Sequence, residues 1–229
     1  MAALHLGEFA EGLVKSGTMI LISEIGDKTF FIAAIMAMRN PRGVVFAGAI
    51  GALAVMTVLS AALGWAAPNL ISKTYTHYLA VALFFFFGAR SLYDALLAWE
   101  GGGMEEELAE TEAELGDGKG GRKKKPTSGW RRAATLGGLL SPILIETFVI
   151  TFLAEWGDRS QIATIGLAAS SDPYGVTLGG IAGHAVCTGA AVLGGKHLAT
   201  RVSERAVAVT GGVLFVLFGA HALYTGVEE

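Results

Sequence analysis

Two related octapeptides, Ser23-Glu24-Ile25-Gly26-Asp27-Lys28-Thr29-Phe30 and Ala154-Glu155-Trp156-Gly157-Asp158-Arg159-Ser160-Gln161, each put three ionisable side chains in the middle of a long apolar run. A central Asp, Lys or Arg costs a membrane helix roughly 2.5–3.5 kcal/mol, whereas a Leu, Ile, Phe or Val returns only about 0.3–0.6 kcal/mol. Three such groups consume much of the insertion energy of the helix that carries them. Ionisable residues kept at that cost mark an ion pathway or binding site inside a membrane.

The rest of the chain supports a membrane setting. It is 52% hydrophobic with mean hydropathy +0.53 and 32 glycines, which suits a polytopic helical membrane protein better than a soluble domain. Six spans are predicted, at about 9–38, 44–67, 77–99, 142–169, 175–196 and 205–225, each near or above the roughly 20 residues that cross a bilayer. Asn40-Pro41, Pro68-Asn69 and Asp172-Pro173 punctuate three of the turns. The expected fold class is an all-α integral membrane protein of six or so transmembrane helices. The first apolar run carries the motif, so it is not read as a discarded signal peptide. Cys187 is the lone cysteine, which excludes an intrachain disulfide, a cysteine zinc site and an iron–sulfur cluster. Net charge −3 gives little information about partners, and no nucleic acid is expected among them.

One sizeable polar segment, 100–141, lies between the third and fourth spans. Its acidic stretch from Glu105 to Leu115 reads as a solvated linker with some helical propensity, or alternatively as a divalent-cation sensor, and it turns basic at Arg122-Lys123-Lys124-Lys125. Loops one, three and five carry twelve Lys and Arg residues, against Lys15 and Lys73 on the other side. Those three loops are therefore expected in the cytoplasm, with both termini across the membrane.

The chain reads as two copies of one unit. Glu155, Asp158, Gly219 and Tyr224 each follow Glu24, Asp27, Gly88 and Tyr93 by 131 positions, and Asp172-Pro173 and Gly183 follow Asn40-Pro41 and Gly51 by 132. Three spans per unit is an odd number, so the second copy enters the membrane upside down. Two inverted three-helix repeats, 1–99 and 142–229, are expected around the loop 100–141. In such folds the substrate sits near the bilayer midplane between the halves, which is where both motifs fall.

On an ideal helix, Glu and Asp three positions apart share a face, with Lys28 or Arg159 in the same broad arc, while Thr29 and Ser160 point elsewhere. Gly26 and Gly157 read first as small residues for close helix contact, with a local distortion that turns carbonyls or hydroxyls inward as the alternative. Glu24, Asp27, Glu155 and Asp158 against Lys28 and Arg159 leave two uncompensated negative charges, which one divalent cation or two protons would balance. Mutually exclusive occupancy of that kind is the physical basis of cation/proton exchange. The donors are oxygens, with Gln161 as a further carbonyl, so Ca²⁺ or Mn²⁺ fits better than Cu⁺ or Zn²⁺, and Mg²⁺ sheds water too reluctantly. The competing reading is a set of structural ion pairs between helices.

Other polar residues give weaker signals. Glu146 is a proton relay or an entrance charge, and His184 reads as a helix-packing hydrogen bonder before a ligand. Arg90 and Asp94 are spaced as an intrahelical pair, His221 as interfacial, and Phe84–Phe87 as facing lipid or packing helices.

The signatures Glu-Ile-Gly-Asp-Lys-Thr and Glu-Trp-Gly-Asp-Arg-Ser-Gln resemble those of the GDT family of calcium/manganese–proton exchangers of Golgi, chloroplast and bacterial membranes. The similarity extends to Phe30–Ala34, Gly64–Ser72, the Glu-rich loop, Ser141-Pro142-Ile143 and Gly183–Thr188. It implies cation ligands at Glu24, Asp27, Glu155 and Asp158, with Lys28, Thr29, Arg159, Ser160 and Gln161 in support. Mn²⁺ and Ca²⁺ would be transported substrates, and no cofactor is implied. The acidic loop and Trp65–Ser72 resemble eukaryotic secretory-pathway members, particularly plant-type ones, which implies a Golgi or related membrane with lumenal termini. Glu146 departs from the family pattern. The expected function is secondary antiport rather than enzymatic turnover. A divalent-cation channel is the alternative, followed by a membrane metallohydrolase, against which stands the lack of a His-Glu-x-x-His or nucleophile motif.

Overall fold

Helix-stopping residues and apolar length set the elements. The computed structural model describes residues 2–70, 72–97, 109–113, 115, 141–199 and 204–226, and all its regular structure is helical. The helices are α1 (Ala2–Glu24), α2 (Lys28–Arg39), α3 (Arg42–Leu70), α4 (Lys73–Leu97), α5 (Pro142–Glu155), α6 (Arg159–Ser170), α7 (Pro173–Ala199) and α8 (Glu204–Thr225). Their limits follow local chemistry. The Asn40 amide donates back to the Met36 carbonyl at 3.0 Å and closes α2. Pro142 begins α5 after Ser141, where its missing N–H costs nothing. Asp172 accepts the Gly175 N–H at 2.7 Å to open α7.

The chain is an all-α membrane protein. α3, α7 and α8 contain Arg42–Ala67, Pro173–Gly194 and Arg205–Thr225, each long and apolar enough to cross a bilayer. Exposed Leu63, Trp65, Leu79, Phe86, Leu153, Val186 and Leu217 give the outer surface an apolar character that water would not tolerate over such an area.

The sequence expectation of uninterrupted runs at 9–38 and 142–169 differs from the structure. Each run is two helices joined by a three-residue turn, α1 to α2 through 25–27 and α5 to α6 through 156–158. α2 has every residue from Thr29 to Ala37 buried, as expected of a helix that is apolar all round. It lies against α3, α5 and α7, and its core includes Phe31, Ile35, Val45, Ala49 and Ala191. A second core joins Met19 and Ile20 to Phe84, Ala163, Leu167, Val176 and Phe215.

Small residues bring the elements into contact. Along α7, Gly175, Gly179 and Gly183 form a one-turn stripe against α1, and a Cβ at Gly175 or Gly179 would run into the Phe9 or Leu13 carbonyl. Carbonyl-to-backbone approach of this kind is how helices associate where no water drives them together.

The residues 109–113 are helical, with Thr111 buried and Leu115 packed on the α2 core. The remainder of the acidic and basic runs in 100–140 lies outside the described residues. The Phe84–Phe87 run divides: Phe84 and Phe87 pack with Phe215, while Phe86 faces outward. His221 takes Lys15 Nζ at 3.3 Å from its Nδ1. The side chain of Asp94, expected to pair with Arg90, lies outside the described residues.

Candidate functional site

The two helix breaks have the same geometry. At the second, Trp156 has φ −64° and ψ 112°, Gly157 has φ +82°, and the Asp158 N–H donates to the Glu155 carbonyl at 3.1 Å. These values describe a type II turn, whose third position needs a positive φ and therefore glycine. At the first, Gly26 has φ +83° and the Asp27 N–H donates to the Glu24 carbonyl at 3.2 Å. Asp27 and Asp158 then stand as extended N-caps of α2 and α6.

This geometry corrects two sequence expectations. A Cβ on Gly157 would meet nothing within 4 Å, so the residue serves the turn and not a close helix contact. Thr29 and Ser160 do not point away, because the turn resets the helical phase between the acid and the hydroxyl. Ser160 Oγ donates to Glu155 Oε1 at 2.6 Å, and Thr29 Oγ1 donates to Glu24 Oε2 at 3.1 Å.

The turns bring Glu24, Asp27 and Glu155 together, each offering a carboxylate oxygen within 4.8 Å of the others. Glu24 and Glu155 are only 3% and 2% exposed, and Glu24 Oε1 and Glu155 Oε2 have no hydrogen-bond partner. A buried carboxylate oxygen without a donor is costly, at roughly 1–3 kcal/mol or more for a charged group. The two oxygens therefore keep buried acceptor capacity that no protein group fills.

Asp158 is not part of this trio. Its Oδ2 accepts the Ser160 N–H at 3.0 Å as a helix cap, a bond that Asp27 does not make at the matching position. Its charge still bears on Glu24, Asp27 and Glu155. Arg159 reaches across the halves, with Nη2 3.9 Å from Asp27 Oδ1. Lys28 is exposed. The Gln161 carbonyl oxygen takes the Gly157 N–H at 2.8 Å and so braces the turn.

The half-helices aim their ends at this cluster. The N-terminal ends of α2 and α6 carry partial positive charge and the C-terminal ends of α1 and α5 partial negative charge, so the breaks present both signs in one place. One residue that sequence reasoning ranked as a packing group also arrives here. His184 on α7 is buried, with Nδ1 3.9 Å from Glu24 Oε2. It lies 29 residues from Glu155 in the nearer motif, and only the packing of α7 on α1 brings it in.

A vestibule of about 480 Å³ lies between α2 and α5, beside the cluster. Its walls include Ile32, Ile35 and Met36 of α2 and Ile150 and Leu153 of α5; Lys28 and Ala154 sit at the end next to the acids, and Arg39 at the other. Lys28 and Arg39 are eleven helical steps apart, about 16 Å along α2. Glu146, Thr111 and Leu115 also line it.

Residues 12–99 and 143–229 match the family described as divalent cation/proton antiporter GDT1. GDT1-like protein 5 of Arabidopsis thaliana is 52% identical, covering 97% of this chain and all of the relative. GDT1-like protein 4 of the same plant is 53% identical over 95% of this chain and 97% of the relative. GDT1-like protein 5 of Oryza sativa subsp. japonica is 50% identical over 95% and 96%. No solved structure matches the chain. With helix-broken acidic turns in both matched stretches and such identity across nearly its whole length, the chain belongs to the GDT1 family of divalent cation/proton antiporters.

Proposed function

We propose that the protein exchanges Mn²⁺ or Ca²⁺ for protons at the carboxylate cluster, with Glu24, Asp27 and Glu155 as direct cation ligands and Asp158 completing the charge. The observation that carries this reading is the trio of oxygens within 4.8 Å, two of whose carboxylates keep a buried oxygen without a donor. A divalent cation satisfies those oxygens at once. Protons satisfy them one by one, so the two guests exclude each other, and the site passes between membrane faces loaded with one or the other.

Thr29 and Ser160 hold one oxygen of each glutamate and leave the other free for the guest. Arg159 offsets part of the negative charge, which keeps the site from binding its cation too tightly to release it. Six spans in two inverted repeats, 1–99 and 142–229, supply the two access states. The loop 100–141 lies in the cytoplasm, the termini lie in the lumen, and the membrane is Golgi or a related secretory compartment. The vestibule is then the cytoplasmic route, since Arg39 stands at its outer end.

In proteoliposomes, an outward proton gradient is expected to drive Mn²⁺ or Ca²⁺ uptake, and Asp27→Asn or Asp158→Asn to reduce it to background. Uptake indifferent to the gradient would remove proton coupling, and single-channel currents would make the protein a channel.

A further inference from the structure

Glu24 and Glu155 are matched in sequence but not in surroundings. Glu24 faces His184, which is 4% exposed, and the imidazole Nδ1 lies 3.9 Å from Glu24 Oε2. That separation exceeds a hydrogen bond, and neither Nδ1 nor Glu24 Oε1 has a partner. In the other half, Gly51 matches Gly183, so Ala52 stands where His184 does. One carboxylate has a nitrogen donor beside it, and the position that matches this donor in the other half of the sequence carries only a methyl group.

Glu24 Oε2 accepts the Thr29 hydroxyl and keeps a second lone pair, so a gap of 3.9 Å suits it and His184 Nδ1 as two ligands of one ion. With metal–ligand bonds of about 2.1–2.4 Å, two donors to the same cation stand about 3–4.5 Å apart. The other candidate on this face of α7 is turned away: Cys187 Sγ donates to the Leu21 carbonyl at 3.6 Å. We propose that His184 is a specificity-determining donor to the transported cation, adding one nitrogen on the Glu24 side of the carboxylate cluster and thereby favouring Mn²⁺ over Ca²⁺. The inference rests on reading the carboxylate cluster as the transport site.

The chemistry sets the direction. Ca²⁺ and Mg²⁺ are hard ions that take oxygen, whereas imidazole is a good donor to first-row transition ions. A single nitrogen among carboxylates leaves Ca²⁺ admissible and gives Mn²⁺ the advantage. A purely oxygen site lacks that advantage.

The test is Mn²⁺ uptake under competition by Ca²⁺ in proteoliposomes of wild type, His184→Gln and His184→Asn. Thermal shifts induced by each metal on the purified proteins read the same ratio without transport. Both variants replace the imidazole by a group that still supplies an oxygen, so Ca²⁺ transport is expected to persist while the Mn²⁺-to-Ca²⁺ preference falls roughly tenfold or more. An unchanged ratio in both variants would overturn the role of His184. A uniform loss of affinity for both metals would do the same and make it a residue that positions Glu24. A wild type that shows no proton-driven uptake of either metal would instead overturn the exchange reading itself.

Discussion

Each acidic motif is a turn before it is a ligand set. Gly157 at φ +82° places Glu155 at the end of one helix and Asp158 at the start of the next. Gly157→Ala is expected to cost about 1–2 kcal/mol of backbone strain and to lower transport far more than it lowers the melting temperature, because its methyl group has open space and the loss falls on carboxylate placement. Comparing the thermal melt with initial uptake rates checks this. Ser160→Ala removes a side-chain hydrogen bond of about 0.5–1.5 kcal/mol, frees Glu155 Oε1 from its 2.6 Å partner and should raise the KM for the metal several-fold with the fold intact. Asp158→Asn keeps a side-chain oxygen able to cap Ser160, so its expected inactivity tests charge and not helix stability. The sequence singled out Glu24, Asp27 and Glu155, which the structure brings together, because charge in an apolar run has few explanations; Asp158 was expected beside them and instead caps α6. The hydroxyl partners were not legible there, because an ideal helix projects them away. A Glu-x-Gly-Asp followed by two polar residues and a new apolar run was the available signal of a glycine turn and an N-cap. His184 was beyond reach, since nothing local to α7 states that Glu24 is its neighbour.

Among the elements, apolar length and proline punctuation located the ends of the long helices to within a few residues: 44–67 was expected against Arg42–Leu70, and 205–225 against Glu204–Thr225. Hydropathy could not show that two runs are broken, because a three-residue turn removes too little apolar length to register. The break depends on packing that buries α2 from Thr29 to Ala37 and holds short half-helices in place. The glycine stripe of α7 is part of that frame, since α1 ends at Glu24 and α7 carries His184. Gly179→Val would push a branched side chain into the Leu13 carbonyl. Overpacking of this kind costs about 1–3 kcal/mol, and the expected result is a lower melting temperature and reduced monodisperse yield in detergent. Gly43→Val, where a Cβ meets nothing, should leave both unchanged.

At the scale of the whole molecule, the two halves are matched in sequence and differ in packing. α4 lies along α6, where Ala80 and Phe84 meet Gly166, while among the described residues α8 shows no packing of that extent on α2. The groove left on α2 is the vestibule, and the equivalent surface on α6 is closed. If the halves are inverted repeats that exchange these conformations, the second access state is the one in which α2 is covered and α6 is exposed. Ile150 on the vestibule wall and Met19 in the closed core stand 131 positions apart and make the comparison direct. With Cys187 replaced by serine, Ile150→Cys should react with a membrane-impermeant maleimide from the face that carries Arg39. Met19→Cys should react about tenfold more slowly, which is the ratio that a preference of ~1.4 kcal/mol for one access state produces. Under a proton gradient with metal present, the Met19→Cys rate should rise from the opposite face as the Ile150→Cys rate falls. Rates that rise together would describe a pore open to both sides, and rates unmoved by turnover would mean that the two halves do not trade places.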